Sequence, residues 1–525
     1  DSSLAPELSW DESADRAFAE WLLGLIAEAA ENGEGQVFAE AKVWRGTEER
    51  FSSLSQCVAR LRSLTKPFLN WSGKAERQQV GVPTLPLFVH ERHSTQAILE
   101  TLQSHKARGT TLDLFGDINL DIADKLDAYE HKGPWTNRLI LGDSLQVMNS
   151  LIEYEGMGGQ VQMIYFDPPY GVKFGSNFQP FVRDRSVSKH HGKDDHMIRE
   201  PEMVKAYRDT WELGLHSYLA YLRDRLFLAK EILAENGSIF VQISDDNLHH
   251  VREVLDEVFG DGNFCSLIPF SKTTSTATTL LNEEFDYLLW YAKDRSQVKY
   301  TQLYSEKKLG TFKSYKYAIR GNAEEIRKLT KAEKEGSVPI PEGWRVAQLS
   351  FAVSQDAGPP EERFYTFNGK KYDCGANRHW KTNHTGLDRL AAAKRLVGLA
   401  SQLNYIRYLD DFPATPLTNL WADTGSAGYS SSDPKVYVVQ TDTAVVQRCI
   451  LMTTDPGDLV LDITCGSGTT AVVAEQWGRR WITMDTSRVP IALARQRLLT
   501  STFPWYRLKE PAKGPNGGFV YERRR

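Results

Sequence analysis

The chain has 525 residues, too many for one ordinary core, so two to four domains are expected. Hydrophobic residues make up 41% and charged residues 25%, and the net charge of -5 excludes a uniformly basic nucleic-acid coat protein but not a locally basic face. Five scattered cysteines without a CxxC pair (Cys57, Cys265, Cys374, Cys449, Cys465) argue against a disulfide framework and for a reducing compartment. No apolar run approaches the roughly 20 residues that cross a bilayer. The acidic opening at Asp1 lacks the pattern of a secretory signal, so a cytoplasmic protein is expected. The absence of an initiating Met implies that the first residues of the gene product are missing.

Residues 1–35 hold nine acidic residues and one basic. Phe18, Trp21, Leu22, Leu25 and Ile26 recur there at helical spacing, which predicts an amphipathic helix with a solvated acidic face. Residues 1–135 as a whole read as a mainly helical N-terminal region without visible chemistry. From 136 the texture becomes α/β. Arg138–Leu141 predicts a strand ending in Gly142-Asp143, and Val161–Phe166 a second ending in Asp167-Pro168-Pro169-Tyr170. A helix is expected over Trp211–Glu235, stopped by Asn236-Gly237. A strand over Ser238–Ser244 should follow, then a helix capped by Asp245 with Leu248, Val251, Leu255 and Phe259 on one face.

Residues 301–400 break this rhythm, with 18 Lys plus Arg against 11 Asp plus Glu. That net of +7 stands against -12 for the rest of the chain. Aromatics such as Tyr304, Phe312, Tyr315, Phe364 and Trp380 are interleaved with the charge. After about 418 the α/β pattern returns: strand Leu459–Ile463, helix Thr470–Trp477, strand Trp481–Met484 and helix Pro490–Leu499. The expected divisions are 1–135, 136–300, 301–417, 418–505 and a tail over 506–525.

Two motifs carry chemistry. The strand Leu459–Ile463 runs into Thr464-Cys465-Gly466-Ser467-Gly468-Thr469-Thr470, a glycine turn that lets a ligand approach the backbone. Asp485 ends the next strand, where an acid suits the hydroxyls of a ribose. The loop alone fits either a nicotinamide cofactor or S-adenosylmethionine. In Asp167-Pro168-Pro169-Tyr170 the prolines fix the backbone. The tetrapeptide offers a carboxylate, a rigid carbonyl and an aromatic face at one strand end. An exocyclic amine on a purine needs that set. Hydrogen bonds to Asp167 and the Pro168 carbonyl free its lone pair, and Tyr170 stacks on an extruded base.

With both motifs in hand, the sequence resembles the permuted, beta-class amino-methylating DNA methyltransferases, and is similar to the modification subunits of Type III restriction systems. The matching stretches are Leu141–Ser144, Tyr165–Tyr170, Gly237–Asp245, Asp286–Ala292, Gln440-Thr441, Pro456–Thr470 and Gly478–Asp485. The resemblance implies a doubly wound Rossmann-like α/β sheet with circularly permuted motif order and an inserted target-recognition module. It implies S-adenosylmethionine as cofactor. Asp462, Cys465, Gly466, Gly468 and Thr469 would line its methionine end, Asp485 hold its ribose, Asp143 sit near its adenine, and Gln440 and Thr441 cover its other side. Asp167, Pro168, Pro169 and Tyr170 would act on the base. Many relatives carry Pro-Phe where this chain has Ile463-Thr464.

Duplex DNA requires local positive charge. The 301–400 segment supplies Lys313, Lys316, Arg320, Arg327, Lys328, Lys370, Lys371, Arg378 and Lys381. The loop after the tetrapeptide supplies Lys173, Arg183 and Arg185. Cys374, His379 and His384 fit no standard zinc spacing, so no metal is expected. No P-loop is present, so cleavage in a restriction or phage-defence system would come from a helicase or nuclease partner, and the N-terminal region is a candidate for that contact or for a homodimer. Adenine N6 is the expected target. Cytosine N4, a catalytically silent recognition subunit and a nicotinamide dehydrogenase are the competing readings. Asp167 disfavours the cytosine reading, because that class more often has Ser there.

Overall fold

The computed structural model describes residues 135–170, 215–276, 283–307, 314–424 and 440–522, apart from a few positions, with short stretches before 135. The chain divides into two compact units. One comprises Asp1–Thr301 with Thr418–Arg525, the other Gln302–Leu417.

The first unit is built on an eight-stranded sheet. In chain order its elements are β1 (Glu91–His93), β2 (Asn137–Leu141), α1 (Ser144–Glu153), β3 (Val161–Phe166), α2 (Leu215–Ile232), β4 (Leu233–Ile243), α3 (Leu248–Phe259), β5 (Phe264–Thr276) and β6 (Glu283–Ala292). After the second unit come α5 (Thr443–Thr453), β12 (Leu459–Asp462), α6 (Thr469–Gln476), β13 (Arg480–Asp485) and α7 (Arg488–Thr500); β7–β11 and α4 belong to the second unit and are given below. The strand order is β1-β2-β13-β12-β3-β4-β6-β5. The five strands from β2 to β4 are parallel, and β1, β6 and β5 run antiparallel to their neighbours.

Strands buried on both faces should be continuous apolar runs, and β3 (VQMIYF) and β12 (LVLD) are buried at every position. Ile164, Phe166, Val241, Leu461 and Ile482 join Val147, Leu151, Leu222, Leu226, Val251 and Leu255 of α1–α3 in one core. The alternate residues Met163, Phe240, Val460 and Trp481 are also buried. Against the sheet from the other group of helices, α5 packs on β3 and β4, and α6 on β12 and β13. The sheet is therefore wound with helices on both faces.

The helix expected to stop at Asn236-Gly237 ends at Ile232, and β4 begins at Leu233. Gly237 is a strand residue. A Cβ there would lie 2.9 Å from the Ala234 carbonyl and 3.1 Å from that of Val161, so the glycine permits close pairing with β3. Asp245 opens a single 3₁₀ turn before α3, with Ser244 at its N-cap. In the N-terminal region, Phe18, Leu22 and Leu25 bury against Phe51 and Cys57. The described residues before 136 belong to the first unit and include short strands as well as the helix over 21–29.

The second unit contains a five-stranded antiparallel sheet. Its elements are β7 (Tyr317–Arg320), β8 (Glu325–Lys328), β9 (Trp344–Phe351), α4 (His384–Ala392), β10 (Leu396–Leu399) and β11 (Gln402–Tyr408), with strand order β8-β7-β9-β11-β10. Ile319, Ala347, Ile406 and Tyr408 form one cluster, and Tyr365, Tyr372, Cys374, Trp380 and Leu387 lie in another. The entry and exit segments, Tyr304–Glu306 and Ala414–Pro416, pair antiparallel. Leu417 N donates to the Leu303 carbonyl at 2.8 Å.

Leu461 is fully buried at the centre of the large sheet. Leu461→Ala should lower stability by about 2–5 kcal/mol through the cavity it leaves, read as a shift in the denaturant midpoint of the first unit.

Candidate active site

In an open parallel sheet, ligands bind beyond the strand carboxyl ends where strand order reverses. From β12 the chain proceeds to β13 on one side, and from β3 to β4 on the other. The crevice lies between β12 and β3, whose register pairs Asp462 with Tyr165. The two loops with chemical character leave these two strand ends side by side. Across the crevice, Asp167 N donates to Thr464 Oγ1 at 2.9 Å. The Thr464 hydroxyl ties the two loops together.

The glycine loop is a tight cradle. Gly466 and Gly468 have φ of 51° and 76°, the left-handed region that glycine enters without penalty. A Cβ on Gly468 would sit 2.8 Å from Ala494 Cβ on α7. Cys465 N donates to the Met484 carbonyl, and Gly468 N to that of Cys465. Burial pushes the Cys465 thiol well up, so this residue is a small buried filler and not a nucleophile. Gly466 N and Ser487 N both donate to the Asp485 carboxylate at 3.0 Å. Arg497 Nη1 donates to Thr469 Oγ1 at 2.9 Å and to Ser467 Oγ at 3.2 Å. Thr469 thus braces the loop from its outer side.

Asp462 is buried, and loss of solvation raises its carboxyl to about 7, against hydrogen bonds from Thr470 and Thr464 N. Asp143 caps α1 by accepting from Leu145 N at 2.8 Å, and also accepts from Arg225 Nη2 at 2.6 Å. Gln440 is buried and Thr441 partly buried just ahead of α5, whose N-cap is Asp442. Here a buried acid at the end of β12 suits a cation, and the acid that ends β13 suits hydroxyls, with the left-handed glycine turn beside them. This donor set fits a ligand carrying both a positive centre and a ribose.

The tetrapeptide faces it. Asp167 keeps little exposed surface, Pro168 is buried, and Tyr170 is partly buried. Loss of solvation, then the nearby carboxylates of Asp286 and Asp462, push the Asp167 carboxyl well above its ordinary range. Hydrogen bonds with Tyr170 and Thr441 act the other way. Lys272 Nζ stands 3.3 Å from Asp286 and 3.5 Å from Glu283, an ion pair on β5 and β6. Gln242, buried on β4, donates through Nε2 to Tyr170 Oη at 2.8 Å. Asn247 Nδ2 donates to the Tyr170 carbonyl at 2.7 Å. Gln242 lies in the matching stretch Gly237–Asp245 but had no role assigned to it, and Asn247 lies outside every matching stretch. The available signal was an amide inside the otherwise apolar run Ile239-Phe-Val-Gln-Ile243.

Of the candidate DNA-contacting residues, Lys173, Arg183, Arg185 and Lys313 lie outside the described residues. Lys316, Arg320, Lys370, Lys371, Arg378 and Lys381 are all exposed on the second unit. Lys371 Nζ lies 4.0 Å from the centre of the Phe364 ring, and Lys370 Nζ donates to the Ala400 carbonyl. Arg320 faces Glu325 at 3.8 Å. The Arg327 guanidinium makes two bonds to Glu333, at 2.6 and 2.8 Å. His379, His384 and Cys374 address the carbonyls of Asp356, Glu362 and Arg378 respectively. No group of three or more metal-holding side chains occurs among the described residues.

A glycine turn and an Asp-Pro-Pro-Tyr strand end thus lie side by side at the switch point of a doubly wound α/β sheet. The profile of the DNA methylase family N6_N4_Mtase matches residues 161–496, and the chain belongs to that family. It is 25% identical to the Mod subunit of the Type III restriction-modification enzyme StyLTI from Salmonella typhimurium, over 64% of this chain and 49% of that one. It is 25% identical to the Type II methyltransferase M.EcaI of Enterobacter cloacae, over 67% of each chain. A probable Mod subunit of the Haemophilus influenzae enzyme HindVI is 24% identical, over 70% of this chain and 50% of that one. The chain thus spans about half the length of the two Mod subunits.

Gly468→Ala combines a left-handed φ with overlap at Ala494, each costing about 1–3 kcal/mol. It should lower the melting temperature and weaken S-adenosylmethionine binding by about tenfold or more in a calorimetric titration.

Proposed function

We propose that this chain is a site-specific DNA methyltransferase that uses S-adenosylmethionine to methylate adenine N6 on an extruded base, as the modification component of a restriction-modification system. The observation that carries the reading is the Asp167–Thr464 contact, which brings the amine-accepting loop to the cofactor-type cradle. The relatives' names, two Mod subunits of restriction-modification enzymes and a Type II methyltransferase, support the same setting and a restriction partner. Among the described residues no helix is long and apolar enough to cross a membrane.

The roles follow from chemistry at named atoms. Asp462, the Cys465–Gly468 backbone, Asp485, Asp143 and the Gln440-Thr441 pair would hold the cofactor, which when bound supplies an electrophilic methyl group on a positive sulfur. Asp462 balances positive charge. The Asp167 carboxylate and the Pro168 carbonyl accept the two N–H bonds of the target amine and draw its lone pair out of the ring. Tyr170 stacks on the extruded base. Asp at the head of the tetrapeptide favours adenine over cytosine. The exposed cations of the second unit, held on their own compact sheet, suit backbone contact and target reading on duplex DNA.

Modified-base sequencing of DNA from cells expressing the chain should reveal N6-methyladenine at one short sequence. N4-methylcytosine instead would overturn the adenine assignment, and unmodified DNA the reading itself. Asp167→Ala should lower transfer by about a hundredfold or more while S-adenosylmethionine still binds. Asp462 titrates near 7, and its carboxylate is the form that attracts a cation. Cofactor affinity should therefore be level above about pH 7 and fall by up to about tenfold per pH unit below it, as titrations at pH 6 and 8 would reveal.

A further inference from the structure

Burying an amide in the middle of a sheet is unfavourable by about 1–3 kcal/mol unless its bonds are met. Gln242 is 5% exposed on β4, between apolar neighbours. Its three partners are all hydroxyls at the site. Tyr165 Oη donates to Oε1 at 2.6 Å, Thr441 Oγ1 donates to Oε1 at 3.2 Å, and Nε2 donates to Tyr170 Oη at 2.8 Å. The amide therefore joins the end of β3, the segment before α5 and the tetrapeptide.

The direction of these bonds matters. Because Nε2 donates to the phenol oxygen, the phenol hydrogen is left for an acceptor other than Gln242, and the Asp167 carboxyl of the same tetrapeptide is close by. Asn247 fixes the same residue from its other end, at the carbonyl. Tyr170 is thus gripped at the tip by one amide and at the backbone by another.

We propose that Gln242 is a positioning residue for methyl transfer: its amide sets the tilt of the Tyr170 ring and the direction of its hydroxyl, and so fixes where an extruded base lies relative to Asp167. The inference rests on the methyltransferase reading above and extends it to a residue outside both motifs. Gln242 touches neither the reacting amine nor the methyl group. It acts through Tyr170, and a displacement of that ring by a fraction of an ångström to an ångström is enough to reduce turnover severely.

The test uses the full chain and duplex DNA carrying its modified site. Gln242→Met keeps the shape and removes all three bonds. It should lower kcat by about ten- to a hundredfold with S-adenosylmethionine affinity within about threefold of wild type and KM for DNA little changed. Gln242→Glu keeps the acceptor and loses the donor to Tyr170. It should also lower kcat, and it decides the question if the Met variant does not fold. In a Tyr170→Phe background, which lacks the phenol, Gln242→Met should have little further effect. A wild-type kcat for the variants, or an undiminished loss in the Tyr170→Phe background, would overturn the inference while the parent enzyme remains active. A wild-type chain that binds S-adenosylmethionine but methylates no DNA would overturn the functional reading and this inference with it.

Discussion

Everything at the site depends on one parallel pairing, β12 beside β3 with Asp462 level with Tyr165. These two strands are the neighbours whose onward connections diverge, which opens a crevice beyond their ends. The pairing decides which backbone atoms meet at the crevice floor. A shift by one residue would turn each side chain to the opposite face of the sheet and break the Thr464–Asp167 contact. The apolar faces of both strands hold this register, because each is packed against helices on both sides. Packing in the core and geometry at the site are therefore one constraint.

That constraint gathers negative charge. Asp286 and Asp462 both raise the proton affinity of Asp167, and among the described residues Lys272 is the cation paired with Asp286. Water alone solvates this arrangement poorly. A ligand with a positive centre and a base with two N–H donors would supply what the protein omits. Carboxyl groups raised by burial hold protons more readily, which links occupancy of the site to pH.

Much of this was legible in the sequence because it was local. Val161–Phe166 is an apolar run bounded by a proline pair, and the structure gives it those same limits. The strand, glycine turn and helix over 459–476 were readable for the same reason. Asn236-Gly237 misled, because a glycine that permits close strand pairing has the same letter as one that ends a helix. The partners of the site were not legible. Gln242, Asn247 and the Lys272–Asp286 pair meet it only through sheet register and helix docking, at separations that no window on the sequence spans. The bond of Arg327 to Glu333 was not legible either, because it requires a strand and a helix turn to fold together.

The second unit leaves the first and returns on paired segments, Tyr304–Glu306 beside Ala414–Pro416. Seen from the large sheet, the whole intervening unit is equivalent to a short closed loop, so its length adds little to the entropy of bringing β6 and α5 into place. The sheet is accordingly indifferent to what hangs on that stalk. Over evolutionary time such a module can be exchanged as a block, leaving the cradle and the tetrapeptide untouched. The fold thereby lets the intervening unit change without disturbing the strand ends of the large sheet.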